Sequence, residues 1–431
     1  MKRKFYNTLM HWKNNNIDTP LMVVGARQIG KTYIINEFCQ NEFEDYIYVN
    51  LMEKTSIVNI FEEKSDFETK IKKMELELNK KIDPEKTVIF FDEVQESEAL
   101  ISSLKAFCES KIQYKIVCAG SLLGVKIHRF HSSFPVGKVR IEFMYPMDFE
   151  EFLLALGKEM WIEEIKRCYK NMEEISIHDK LLDLYRTYLC IGGMPAVINN
   201  YREVNEEILL LNKGIVQNII MSYLADMSKY TLNNTESVRI EKVYKTIPSS
   251  LAKENKKFQY ADIEKGAKRR EFESAIDWLK ASNLIYQCTL VNKIEPPLKA
   301  FEKLEFFKLY VNDVGLLTSL LEIDFSDILL NKPFMLKGAI AENYVAQTFK
   351  TNNISLYYWK SNNSAEIDFL LYNKDGIIPV EVKATDNTKS KSLNYYIEKY
   401  NPKYAIRLST KNFGFNNNIK SIPLYAVFCI S

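Results

Sequence analysis

Eight consecutive residues carry the sharpest chemical pattern in this sequence. Gly25, Ala26, Arg27, Gln28, Ile29, Gly30, Lys31 and Thr32 form a G-x-x-x-x-G-K-T run. Its glycines let backbone N–H groups wrap phosphate oxygens, and a helix opening at its end adds its dipole. Lys31 is placed to reach β- and γ-phosphates, and the Thr32 hydroxyl to bind Mg2+. Further along, the apolar run Val88–Phe91 ends in Asp92 and Glu93. Asp92 suits the Mg2+ shell, and Glu93 suits the general base that orients water. A third run, Lys115–Ala119, ends in Gly120 and Ser121, whose hydroxyl is a candidate to sense the γ-phosphate or hold the attacking water.

A second constellation lies near the other end. Glu366, Asp368, Glu381 and Lys383 flank an Asp375-Gly376 turn between two alternating apolar runs, a hairpin signal. Centring the turn between Lys374 and Asp375 sets Asp368 opposite Glu381 and Glu366 opposite Lys383. Asp368 and Glu381 are then candidate ligands for Mg2+, with Mn2+ an alternative, and Lys383 a candidate to stabilise charge or activate water. The plainer reading is a solvated sheet face with a Glu366–Lys383 cross-strand pair.

The elements that must position these groups follow from hydrophobic patterning. Leu21–Gly25, Tyr46–Leu51, Thr87–Glu93 and Tyr114–Ser121 are continuously apolar and of strand length, as parallel strands buried on both faces require. Helical candidates near Thr32–Cys39, Phe67–Asn79 and Ala99–Ser110 alternate with them, which argues for an α/β parallel sheet. From about Pro146 the pattern becomes helical, with a Gly192-Gly193 turn before Pro195. From about Glu236, three short helical patterns and a strand pair broken by Pro296-Pro297 give the plan of a winged helix. The last stretch reads as a helix, a hairpin, a further helix and a final strand pair. The expected domains are 1–155 (nucleotide-binding), 156–235 (helical lid), 236–330 (winged helix) and 331–431 (α/β).

Composition narrows the classes. The 431 residues are enough for about three domains. Apolar residues make up 46% and charged residues 26%, which excludes a mainly disordered or low-complexity chain. The 58 basic and 56 acidic side chains leave a net charge of +2, so any nucleic-acid surface must be local. Two stretches qualify. Residues 253–270 hold seven basic side chains (Lys253, Lys256, Lys257, Lys265, Lys268, Arg269, Arg270) against three acids, and residues 383–411 hold seven against Asp386 and Glu398. Lys268, Arg269 and Arg270 precede the expected recognition helix, where phosphate or base contacts would begin. Seven scattered cysteines fit a reducing compartment better than a disulfide framework. No apolar run approaches a membrane span, and the basic N-terminus lacks the apolar segment of a signal peptide. The expectation is a cytoplasmic protein without membrane contact. His128 and His131 read as ordinary histidines for want of further ligands.

The GARQIGKT loop, the FFDEVQ strand end, the AGSLLG segment, the YPMDFEEFL stretch, CIGGMPAVI and KLYVNDVGLL together resemble prokaryotic AAA-type P-loop ATPases that carry a C-terminal DUF 4143 domain. That resemblance implies ATP and Mg2+ as cofactors. Members often carry Gly-Arg where this chain has Gly137-Lys138, so Lys138 stands in place of a candidate trans-acting arginine, with Arg129 and Arg140 as alternatives. The D-x12-E-x-K spacing of Asp368, Glu381 and Lys383 resembles the PD-(D/E)XK nucleases. That likeness implies a restriction-endonuclease-like fold with Glu342, on the preceding helix, as a further metal ligand; Ile367 replaces the proline that often precedes the first aspartate. The expected function is an ATP-hydrolysing protein that binds DNA and cleaves it with a metal ion. The alternative is a nucleotide-dependent switch or adaptor whose nuclease-like fold is silent. A protein partner or homo-oligomer is compatible with either.

Overall fold

The computed structural model describes the chain except residues 16–18, 122–123, 126–133, 136, 232, 362–364 and 386–389. The chain forms two compact units, residues 2–145 with 281–283, and residues 146–280 with 284–431.

The first unit is built on a parallel sheet of five strands: β1 (Leu21–Val24), β2 (Asp45–Asn50), β3 (Thr87–Asp92), β4 (Lys115–Gly120) and β5 (Arg140–Phe143). Their order is β2-β3-β4-β1-β5, and all neighbouring pairs are parallel. Every residue of β1 and β3 is buried, which is why both read as unbroken apolar runs. Helices α1 (Phe5–Asn14), α2 (Lys31–Glu42), α3 (Thr55–Glu62), α4 (Phe67–Leu78) and α5 (Glu98–Glu109) connect or flank the strands. Local chemistry sets their ends. The Asp66 carboxylate accepts from Thr69 N–H to start α4, and Asn79 closes it in the left-handed region. Ser97 caps α5 in the same way, accepting from Leu100 N–H.

The second unit opens with α6 (Phe149–Ala155), started by a reciprocal capping box between Asp148 and Glu151. Then follow α7 (Glu159–Asn171), α8 (His178–Ile191), α9 (Pro195–Glu203), α10 (Gly214–Lys229), α11 (Asn234–Leu251) and α12 (Arg269–Ala281). Strands β6 (Ile285–Val291) and β7 (Glu302–Val311) form an antiparallel pair. The remainder comprises α13 (Val314–Leu320), α14 (Phe325–Leu329), α15 (Lys337–Thr351), β8 (Tyr357–Lys360), β9 (Glu366–Ile367), β10 (Phe369–Asn373), β11 (Gly376–Val382), α16 (Lys391–Tyr400), β12 (Ala405–Ser409), β13 (Gly414–Asn416) and β14 (Ile419–Pro423). These strands build two sheets, β10-β11-β12-β14-β13 and β7-β6-β8-β9.

The elements expected of a winged helix occur in order, with two differences. The middle helical pattern is a single 3-10 turn, Tyr260–Asp262. The β6–β7 pair also does not stand alone, because β8 adds to β6 in parallel. The hairpin register agrees with its derivation: Phe369 pairs with Val380 and Asn373 with Gly376. That pairing stops at Asp368, where the chain bends and β9 pairs with β8 instead. The expected Glu366–Lys383 juxtaposition is therefore absent; Glu366 lies beside Lys308 at 2.7 Å and Lys360 at 3.4 Å.

One buried carboxylate joins the helical and mixed parts of this unit. Asp313 is fully buried and accepts from Gly193 N–H at 2.6 Å and Leu316 N–H at 3.0 Å. Burial pushes its carboxyl up to about 6, against the pull of these backbone donors. The folded state thus keeps a proton that the unfolded chain releases above about pH 4, so stability falls as pH rises toward 6. Asp313→Asn lacks this dependence. Chemical denaturation should show wild type gaining roughly 2–3 kcal/mol relative to Asp313→Asn between pH 7 and pH 4; parallel pH profiles would refute it.

Candidate nucleotide site and carboxylate centre

The phosphate loop lies between β1 and α2. Gln28 (φ 65) and Gly30 (φ 89) both take left-handed backbone, the kind of local geometry that forms anion-binding concavities. Gly25 is required by packing: a Cβ there would stand 2.3 Å from the Met144 carbonyl oxygen and 2.6 Å from Ile29 Cδ1. The Lys31 ammonium donates to the Gly25 carbonyl at 2.9 Å and the Ala26 carbonyl at 2.7 Å, so the loop closes on its own lysine. Thr32 Oγ1 donates to Asp92 Oδ2 at 2.7 Å, which joins the two motifs across the intervening strand β4. A threonine hydroxyl and a carboxylate brought together above a phosphate loop fit a Mg2+–nucleotide complex.

Glu93 follows Asp92 in the left-handed region (φ 51), and its carboxylate accepts from the Gln95 side-chain amide. Ser121 is buried, and its hydroxyl has no hydrogen-bond partner among the described residues. Lys138 pairs with Glu109 at 3.1 Å and Arg140 with Glu142 at 2.7 Å. Arg129, His128 and His131 lie outside the described residues.

Two residues that the motifs did not indicate support this site. Arg3 lies under the loop, donating to the Ile29 and Tyr145 carbonyls, both at 2.7 Å. The Tyr48 hydroxyl donates to Asp92 Oδ2 at 3.2 Å; burial and the Asp92 charge push its phenol up to about 12. The only sequence signal for Tyr48 was its position on the strand beside β3.

At the other end, Glu342 on α15 is 1% exposed and ringed by donors. Lys308 Nζ lies 3.0 Å from its Oε1, the Tyr310 hydroxyl donates to the same oxygen, and Lys256 donates to Oε2. Burial works against this carboxylate's charge, but Lys256 and Lys308 overcome it and hold its pKa below the ordinary range. Asp368 is partly buried, and its Oδ2 accepts from Val382 N–H at 2.8 Å. Its carboxyl is pushed up by burial and then by Glu342. Glu381 is buried and pairs through Oε1 with Lys383 at 3.0 Å, while its Oε2 has no hydrogen-bond partner among the described residues. The predicted set thus divides, with Glu342 and Asp368 grouped around two lysines and Glu381 with Lys383. Among the described residues no three His, Cys, Asp or Glu side chains are disposed to hold one metal ion. Lys256, Lys308 and Tyr310 were not foreseen at this centre, because their proximity arises only when distant elements pack together.

Of the seven basic side chains in 253–270, four have partners among the described residues. Lys253 pairs with Asp262, Lys256 with Glu342 and Arg269 with Glu273, and Lys257 stands over the Phe306 ring at 3.7 Å. In the 383–411 stretch, Arg407 has a buried Nε without a hydrogen-bond partner among the described residues. It lines a cleft of about 480 Å3 with Asn394, Glu398, Asn416, Asn417 and Ser421. All seven cysteines are free thiols, and no helix among the described residues is long and apolar enough to cross a membrane.

A parallel five-stranded sheet, a phosphate loop after its β1 strand and an acidic pair at the end of β3 are the arrangement of a P-loop nucleotide-binding domain. Residues 18–153 match the family model described as an AAA domain. Residues 182–327 match a domain of unknown function, DUF8612, and residues 337–427 another, DUF4143. No curated protein matches the chain. Among solved structures, the Walker-type ATPase PABY2304 of Pyrococcus abyssi is 12% identical, covering 75% of this chain and 96% of its own, with a TM-score of 0.45. The ORC2 protein of Aeropyrum pernix, solved in ADPNP–ADP complexes, is 12% identical over 77% of this chain and 94% of its own, with a TM-score of 0.39. Drosophila ORC bound to DNA is 12% identical over 74% and 86%, with a TM-score of 0.28.

If the chain turns over ATP, Tyr48 and Asp92 are expected to contribute separably. Tyr48→Phe removes one hydrogen bond to the carboxylate and should lower Mg2+-dependent ATP turnover no more than about tenfold. Asp92→Ala should abolish it. Steady-state phosphate release checks both, and a Tyr48→Phe loss as large as that of Asp92→Ala would refute this division.

Proposed function

We propose that this chain is an ATP-hydrolysing switch whose second unit binds nucleic acid without cutting it. The carrying observation is the 2.7 Å hydrogen bond between Thr32 and Asp92, which unites two motifs far apart in sequence, beside a lysine already seated in its loop. In this reading Gly25–Thr32 cradle the triphosphate, and Thr32 and Asp92 hold Mg2+. The ion supplies charge neutralisation at the phosphates. Glu93 polarises the attacking water once its carboxylate leaves Gln95, and Ser121 senses the γ-phosphate through its unpartnered hydroxyl. Glu93→Gln should keep ATP affinity while turnover falls by about 10²–10⁴-fold. Equilibrium nucleotide binding beside single-turnover hydrolysis tests this; unchanged turnover would remove Glu93 from the base role.

The nucleic-acid part rests on Arg407. Its half-buried guanidinium has an unsatisfied Nε in a cleft it shares with Glu398, beside Glu381 in register on β11, and phosphodiester oxygens match its fork. The basic 253–270 stretch carries this reading less far, since four of its cations are already engaged. Arg407→Gln should weaken binding of duplex and single-stranded oligonucleotides and lower the slope of log K against log salt by about one. An unchanged slope would exclude this cleft as a phosphate contact.

Metal-dependent cleavage is the second reading, favoured by Asp368, Glu381 and Lys383 lying on one hairpin with Glu381 Oε2 unpartnered. The lysines at Glu342 weigh against it.

A further inference from the structure

The carboxylates expected to take a divalent ion already have cations. Lys308 is 0% exposed, and its ammonium bridges Glu342 Oε1 at 3.0 Å and Glu366 Oε1 at 2.7 Å. Lys256 donates to the other Glu342 oxygen. With the Tyr310 hydroxyl on Oε1, both oxygens of Glu342 are engaged by hydrogen-bond donors. A hard divalent ion needs open oxygen ligands at about 2.0–2.6 Å, and a resident ammonium both occupies the oxygen and repels the ion. The residues present do not fit a metal while both lysines are in place.

We propose that Lys308 and Lys256 are the resident cations of this centre, that they exclude a divalent ion from Glu342, Glu366 and Asp368, and that Lys256 is the exchangeable one of the two. The two lysines differ in how they are held. Lys308 comes from β7, has two carboxylate partners and no solvent exposure. Lys256 comes from the segment between α11 and α12, has one carboxylate partner, and its side chain is 24% exposed. Withdrawing Lys308 would take a cation from two carboxylates at once, the buried Glu342 and the partly exposed Glu366. Withdrawing Lys256 frees one Glu342 oxygen that solvent can reach. The 252–257 segment thereby acts as a built-in competitor for the metal position, and the centre is silent toward divalent ions for as long as that segment stays docked.

The test is Mn2+ binding to the full chain without nucleotide, read from loss of the free-ion EPR signal, with melting curves recorded for each variant. It does not depend on nucleic acid or on cleavage, so it stands or falls separately from the proposed function. Wild type and Asp368→Asn should bind the same number of Mn2+ ions with the same affinity. Lys256→Met should gain one further ion, Lys256→Arg should gain none, and Lys256→Met with Asp368→Asn should lose the gain. A wild-type Mn2+ site that disappears in Asp368→Asn would overturn the exclusion. A folded Lys256→Met that binds no additional ion would overturn the exchangeable role. Should Lys256→Met fail to fold, the comparison of wild type with Asp368→Asn still decides the exclusion.

Discussion

The second unit depends on a single buried ammonium. Lys308 has no solvent exposure and is shared by Glu342 and Glu366. A lysine so placed stays charged only because burial is outweighed by the carboxylates around it, and the same attraction holds Glu342 ionised. The contact ties together β7, α15 and β9, which are far apart in the chain. Removing Lys308 takes a buried counter-charge from Glu342 and one partner from Glu366, leaving Lys256 and Lys360 as their remaining cations. The path of β9 suits this arrangement: the bend at Asp368 carries Glu366 to Lys308 instead of along the hairpin toward Lys383.

The nucleotide site is built on a different principle. Lys31 donates to loop carbonyls, and Thr32 and Tyr48 donate to Asp92, through hydrogen bonds that a bound nucleotide and its ion can replace. The scaffold beneath is rigid: buried parallel strands on both sides of the loop, and Arg3 bonded to two backbone carbonyls under it. Strand burial therefore governs position, and exchangeable hydrogen bonds govern occupancy. In the carboxylate centre the ionic partners are part of the fold, which is why its residues resemble a metal site in type but differ from one in what fills it.

Much of the first unit was legible in the residues. Buried parallel strands need continuous apolar runs, and each of the four runs is a strand. Helix α3 was missed because Thr55–Glu62 is short and flanked by polar residues. The hairpin register was legible because a tight turn leaves a single way to pair. Its interruption was not, since the decision between β8 and β11 as partner for Glu366 depends on where β8 lies.

The sequence by itself determined the chemistry that neighbouring residues can express together: the phosphate loop, the acidic strand end, the helix caps and the turn of the hairpin. All of these are set by backbone geometry and side-chain type within a few positions. Only the tertiary structure decided which charges meet. Lys256 and Lys308 stood in a basic stretch and a strand, and nothing local distinguished them from solvated lysines. Burial in a common low-dielectric region, reached only by packing α11–α12, β7 and α15 together, turned them into the counter-ions of Glu342. Electrostatic pairing in an interior is a property of position in space, and spacing along the chain does not encode it.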